Sequence, residues 1–388
     1  WKAVQAFWRE HRETAAAVVN SLAAWRLEEN KLRSHTKERG FLDAPLAMNR
    51  ISAATLEAVI GACRQNLPQL RRSLKLMARA FGQEKMRPWD LVSPSPITAN
   101  PEPRTFTEGL RYVTDAFTKI DPEFGAFATM MNENSWIEAR VIPNKGGGAY
   151  CTGFAKSLEP RVFQTYMGSL PDILTLAHEL GHAYHSWALR DLPRAQHEYP
   201  MTLAETASVF GENAVRDSLF TVAKSREEKI EIGFADVESI AGYLINIPTR
   251  FEFEKEFYER RKTRSLSADE LSELMNETWS RWYGDTLTEN DSMFWATKQH
   301  FSFAELSFYN FPYSFGYLFS LSIYARKDAL GKNFMPTYRA ILRDTGRMTA
   351  EELVQKHFGE DITKPAFWQK AIDVEIAKID RFEALLDS

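Results

Sequence analysis

Cysteine is scarce in this chain: 388 residues carry two, Cys63 and Cys151. That count excludes a disulfide-stapled scaffold, which is dense in cysteine. The pair could still bridge, but free thiols in a reducing, cytoplasmic compartment are the simpler expectation. Long apolar runs are missing too. The best stretch, Tyr313 to Ala325, is short and broken by three serines. A membrane-spanning helix needs about 20 apolar residues, so no membrane partner is expected. Charge of one sign is also absent, with 48 basic residues against 52 acidic and a net of −4. That balance does not favour nucleic acid or an anionic membrane surface. There is no internal repeat and no low-complexity tract. The first residue is Trp1, and no signal peptide precedes it.

Aromatic residues are plentiful instead: 10 Trp, 13 Tyr and 26 Phe. They suit a large core and an aromatic-lined cavity. The length exceeds what one small core supports and suggests two or three domains. Apolar residues from Val4 to Leu32 recur at helical spacing, which predicts one long helix over 2–36. Ser52 opens a second helix, and Pro68 begins a third that runs to Phe81. Pro88, Pro94, Pro96, Pro101 and Pro103 then mark a linker-like loop. The boundary is placed there, giving a helical arm over 1–95 and a second domain over 96–388. Residues 107–132 read as helix. Trp136 to Ile142 alternates like a strand, Gly146, Gly147 and Gly148 form a turn, and Arg161 to Met167 reads as a second strand. Ser169 with Pro171 makes a good helix start. Helices are expected over 199–223, 226–261, 267–282, 301–329, 333–345, 349–358 and 365–386.

The most informative stretch follows Ser169. It holds His178-Glu179-Leu-Gly-His182, an H-E-x-x-H pattern in a helical context. Residues four apart lie one above the other on a helix, so both imidazoles can face one metal ion. Glu179 lies about 100° round the helix, close enough to reach a water at that ion from the side. Two neutral nitrogens and an adjacent carboxylate base are the parts of a zinc hydrolase. Such a pattern also occurs by chance on solvent-facing helices. Here the flanks Leu174, Leu176, Ala177, Leu180, Ala183, Tyr184 and Trp187 are apolar, so the helix is buried, and buried polar groups need partners. Gly181 costs about 1 kcal/mol against Ala inside a helix. It makes sense where another backbone comes close.

A third ligand is needed. A metzincin would place a histidine where Ala188 stands, so that pattern fails. A carboxylate from a later helix is the alternative. Glu205 is the favourite, among the small residues Ala204, Thr206 and Ala207. Glu212, two turns on, suits the role of orienting a histidine. Thr202 and Glu205 also match a helix-capping box, and Glu198 is a weaker rival. His185 reads as packing or support. His11, His35, His197 and His357 read as structural.

These residues resemble a known family. Gly146 to Cys151, Phe163 to Gly168, the H-E-x-x-H helix and Ala204 to Ser208 are similar to oligoendopeptidase F, the bacterial branch of the thimet oligopeptidase (M3) family. His300 and the run Phe308 to Gly316 add to the likeness. The resemblance implies a mainly α gluzincin fold enclosing a deep channel, with a small β-sheet beside the H-E-x-x-H helix. It implies one zinc ion held by His178, His182 and Glu205, with Glu179 as general base. It implies short peptides as substrates, and His300 and a tyrosine as donors to the substrate carbonyl. Tyr313 is preferred, with Tyr309 second. Gly147, Gly148 and Tyr317 are expected at the substrate. The stretch after His300 is longer than in relatives, and Phe311 replaces a frequent tyrosine. The likeness also implies the C-terminal portion of a longer enzyme. An extended peptide is expected to add to the edge of the strand Arg161 to Met167. Other readings are a peptide-binding relative without turnover, a zinc carboxypeptidase of similar fold, and a structural helical module that binds no metal.

Overall fold

A computed structural model describes residues 1–98 and 102–388. Pro101 of the expected loop lies outside the described residues. The chain is mainly α with one small sheet, and it divides into two units. The first unit comprises 1–94 and 237–314, and the second 95–236 and 315–388. Residues 237–314 thus group with the N-terminal helices, an association across sequence that local pattern does not reveal.

In the first unit, local signals set most helix starts. The Ser52 side chain accepts the Thr55 N–H and opens helix Ala53–Gln65. Ser267 and Glu270 form a reciprocal capping box at Ala268–Tyr283. Trp279, Trp282 and Trp295 fill the core. The expected long helix over 2–36 is two helices, Lys2–Glu10 and Arg12–Leu32, broken at His11. Only part of its apolar stripe is buried, at Ala16, Val19 and Ala23. Val4, Phe7, Trp25 and Leu32 are more than half exposed, while Gln5 and Asn20 are buried. The polar pair is buried because each finds partners: Gln5 donates to Asp291, and Asn20 both donates to and accepts from Leu266.

Two further helices are shorter than the pattern predicts. Residues 226–261 divide into Arg226–Ala241 and Ile247–Arg261 around a π turn, Gly242–Asn246. Pro248 explains it, since its ring crowds the carbonyl four residues back and it has no N–H to offer there. Of 301–329, only Phe311–Tyr324 forms the main helix. Phe308 takes φ +54°, which no continuing helix tolerates. Arg26 draws the carbonyls of Phe303 and Leu306 into that loop.

The second unit is built round two helices. Leu170–Leu189 starts as expected, at a capping box of Ser169 and Asp172 with proline in the first turn. Met201–Val222 packs against it. Phe106–Ile120, Pro122–Glu133, Phe334–Asp344 and Pro365–Asp387 add to the packing, with Phe117, Phe124, Phe210 and Trp368 in the core. The sheet holds β1 (Ile137–Glu138), β2 (Ala149–Phe154) and β3 (Glu159–Gln164) in the order β1-β3-β2. β3 is parallel to β1 and antiparallel to β2. The two expected strands are therefore neighbours, and β2 is the strand that sequence pattern misses. It lacks alternation because one face and its tip are exposed. Gly146, Gly147 and Gly148 precede β2 rather than link a hairpin.

Candidate metal centre

Backbone proximity makes the site possible. A Cβ at Gly181 would lie 2.3 Å from the Ala207 carbonyl oxygen. One at Gly211 would lie 2.7 Å from the Ala177 oxygen, and one at Gly316 would lie 2.7 Å from the Glu205 Cβ. Glycine at these three crossings lets Leu170–Leu189, Met201–Val222 and Phe311–Tyr324 come together. The close approach expected at Gly181 is present, and its partner is the helix that carries Glu205.

The chain's H-E-x-x-H residues and Glu205 meet there. Among the described residues, His178, His182 and Glu205 form one cluster of ligating atoms. The His178 and His182 Nε2 atoms are 3.1 Å apart. Glu205 Oε2 is 3.4 Å from the first and 3.6 Å from the second. Ligands about 2.0–2.1 Å from a tetrahedral zinc lie about 3.3 Å from one another, so the donor set fits that ion. Glu205 does not cap its helix: the helix starts at Met201, and Ser208 Oγ donates to Glu205 Oε2 at 2.6 Å. Glu198 is exposed beside Arg194 and lies outside the cluster.

His178 turns its other nitrogen, Nδ1, to Glu212 Oε1 at 2.6 Å. A carboxylate there makes Nδ1 the donor and leaves Nε2 as the ligating atom. Burial disfavours charge on His178, but the bond to Glu212 and the charges of Glu205, Glu212 and Glu179 outweigh it and raise the pKa to about 9. Burial and the His178 charge take His182 down to about 4. Glu179 is 5% exposed, and its Oε2 has no hydrogen-bond partner. Burial pushes its carboxyl up to about 7, Glu205 and Glu212 add to the rise, and His178 opposes it. A buried carboxylate oxygen left open beside two imidazoles is the second observation that fits a metal-assisted hydrolase. Cys151, on β2, feels the Glu179 charge, and burial first and that charge second lift its thiol to about 12.

A family model, Peptidase family M3, matches residues 1–374. The chain belongs to peptidase family M3. It is similar to the oligoendopeptidase F homolog of Lactococcus lactis subsp. lactis (strain IL1403), 25% identical over 323 residues, with 82% of this chain and 52% of that protein covered. It is 21% identical to oligopeptidase PepF of Bacillus subtilis (strain 168) over 388 residues, covering 99% of this chain and 57% of that one. The structure of oligoendopeptidase-F from Enterococcus faecium superposes with a TM-score of 0.74 at 19% identity, covering 100% of this chain and 62% of that chain. That likeness establishes a shared fold. The chain spans about half the length of the curated relatives it matches.

In this M3 chain the remaining expected site residues fall in separate places. His300, Tyr309 and Tyr313 form a cluster within the first unit. His300 Nδ1 is 2.8 Å from Asn310 Oδ1, its ring lies 4.7 Å from that of Tyr309, and the two tyrosine hydroxyls are 2.8 Å apart. Burial first, then Lys298 and Arg250, lowers the His300 pKa, and the Asn310 bond opposes this. Arg250 donates to the same Asn310 oxygen at 3.0 Å. Neither Arg250 nor Asn310 carries a sequence signal. Tyr317 is elsewhere: it is 1% exposed, and its hydroxyl donates to Glu375 at 2.8 Å. That hydroxyl is committed to the core, which removes Tyr317 from the substrate. A Cβ at Gly146, Gly147 or Gly148 would meet nothing within 4 Å, and Gly148 alone needs glycine, for its φ of +90°. β3 is paired on both sides, so the sheet's outer edges belong to β1 and β2, and β2 is the longer of the two. A cavity of about 370 Å³ adjoins it, lined by Thr152, Phe154, Ser186, Arg190, His197 and Tyr199 among others. Of the structural histidines, His185 Nε2 meets Thr345 Oγ1 at 2.8 Å, and His357 Nε2 meets Asp344 at 2.8 Å.

Proposed function

We propose that this chain carries the catalytic centre of a zinc-dependent oligoendopeptidase that hydrolyses short unfolded peptides. The observation that carries the reading is the triangle of His178, His182 and Glu205, with ligating atoms 3.1–3.6 Å apart, beside the open carboxylate oxygen of Glu179. Zinc bound there would supply Lewis acidity, which brings the pKa of a water to roughly 7 and polarises a carbonyl.

The chain's own residues do the rest. Glu179 Oε2 takes a proton from the attacking water and returns it to the leaving amine. A carboxyl group placed beside the site can both accept and return that proton. Glu212 fixes the tautomer of His178. The free edge of β2 pairs with the backbone of an extended peptide, which gives affinity with loose sequence preference. From the family resemblance, His300 and Tyr313 donate to the carbonyl as it gains charge, with Tyr309 second. One such donor is typically worth about 3 kcal/mol.

The test is cleavage of peptides of graded length, with and without a chelator, mapped by mass spectrometry. Internal cuts in short peptides are expected, abolished by the chelator and restored by zinc. Cleavage that ignores the chelator overturns the metal reading. Removal of single C-terminal residues overturns the endopeptidase reading and favours a carboxypeptidase. Zinc binding without any cleavage favours a peptide-binding relative.

A further inference from the structure

The second unit buries a second set of charges behind the metal cluster. Glu212 faces His178 Nδ1 through Oε1, and its Oε2 accepts from Arg216 at 2.7 Å. Arg216 is 5% exposed and also feels the charges of Asp236 and Glu375. Those two carboxylates are fully buried, from the Arg226–Ala241 and Pro365–Asp387 helices. Lys378, one turn after Glu375, lies 2.8 Å from Glu375 Oε1 and 3.7 Å from Asp236 Oδ1, and donates to Asn213 at 2.9 Å. Arg381 donates to Asp236 at 2.9 Å, and Tyr317 donates to Glu375.

The set balances at three carboxylates (Glu212, Asp236, Glu375) against three cations (Arg216, Lys378, Arg381). Buried charge is tolerated only when compensated. Arg216 has two claims on it: Glu212 on one side, and Asp236 with Glu375 on the other. Lys378 answers the second claim, and that leaves Arg216 to the first. Glu212 held by Arg216 keeps one oxygen on Nδ1 of His178, so the ring presents Nε2 toward Glu205 and His182.

We propose that Lys378 and Glu375 are positioning residues for the metal centre: by neutralising Glu375 and Asp236, Lys378 leaves Arg216 on Glu212 and Glu212 on His178. The inference rests on the metal reading above. Both residues lie beyond the span of the family match, which ends at residue 374.

The test reads metal binding rather than turnover. Zinc affinity is measured by chelator competition, and coordination by the visible absorption of the cobalt(II)-loaded protein. Lys378→Met is expected to weaken zinc about 10–100-fold and alter the cobalt bands, since Arg216 turns toward the uncompensated acids. Lys378→Arg restores most of the affinity. The double variant Glu375→Gln/Lys378→Met also restores it, because the set is balanced again, with Arg381 answering Asp236 and no uncompensated acid left to draw Arg216 away. Should Lys378→Met fail to fold, Lys378→Gln takes its place with the same expectations. The proposal is overturned if the single variant binds zinc like the parent with unchanged cobalt bands. It is equally overturned if the double variant stays as weak as the single, which would mark general destabilisation. A parent protein that binds no zinc overturns the metal reading itself.

Discussion

At the scale of single residues, Glu179 is the proposed base and His185 carries a pH signature. Glu179→Gln keeps the shape and loses the base. Zinc affinity is expected to stay, and peptide hydrolysis to fall by about 10²–10⁴-fold, read as kcat on a short peptide. Retained turnover would remove Glu179 from its role. Burial, then the His182 charge, holds His185 down at about 3. The unfolded chain takes up that proton near about 6.5. Between the two values the unfolded state binds more protons, so stability falls as pH drops through about 6.5 and continues falling toward about 3. His178 works in the opposite sense: its raised value stabilises below about 6.5, and the gain is lost as pH rises through about 9. Comparison with His185→Gln isolates the first effect. In chelator-treated protein, the loss of urea resistance from about pH 7.5 to 5.5 should be smaller in the variant. An equal loss in both proteins would show that His185 is not the titrating group. The pairing of His178 with His182 was legible at this scale because helical spacing brings them to one face. Glu205 was legible only as a favourite among carboxylates, since no local rule chooses a partner across two helices. Arg250, Asn310 and Lys378 were not legible, because the contacts that single them out, Arg250 with Asn310 and Lys378 with Asp236, join residues far apart in sequence.

At the scale of elements, caps read well and irregularities did not. Ser52, Ser169 and Ser267 announce helix starts through bonds that close within three residues. The break at His11, the π turn before Pro248 and the loop that ends at Phe308 answer to tertiary partners or to backbone geometry. β2 was missed because an exposed edge strand needs no alternation. The crossing at Gly181 gives the sharpest element-scale prediction. In Gly181→Ala the new methyl would meet the Ala207 carbonyl at 2.3 Å, backbone against backbone. The helix carrying Glu205 must shift. A loss of about 1–3 kcal/mol is expected from overpacking, with weaker zinc binding. Calorimetry and chelator competition check both, and a parent-like Tm with parent-like affinity would contradict the packing argument.

At the scale of the molecule, all three proposed ligands belong to the unit of residues 95–236 and 315–388. On the proposed reading zinc binds the folded form of that unit, so it should raise its melting temperature. At a free concentration 100 times Kd the gain is about 2.7 kcal/mol. Identical melting with zinc and with chelator would leave the cluster without a ligand. No helix among the described residues is long and apolar enough to cross a membrane. The family match and the donor set both support the proposed metal centre, and the proposal turns on its third ligand, Glu205. The most direct test is therefore metal content. Elemental analysis of the purified protein after dialysis against a weak chelator should find about one zinc per chain, and Glu205→Ala under the same dialysis should lose it. A parent protein without zinc, or a Glu205→Ala variant that keeps the ion as tightly as the parent, would contradict the account.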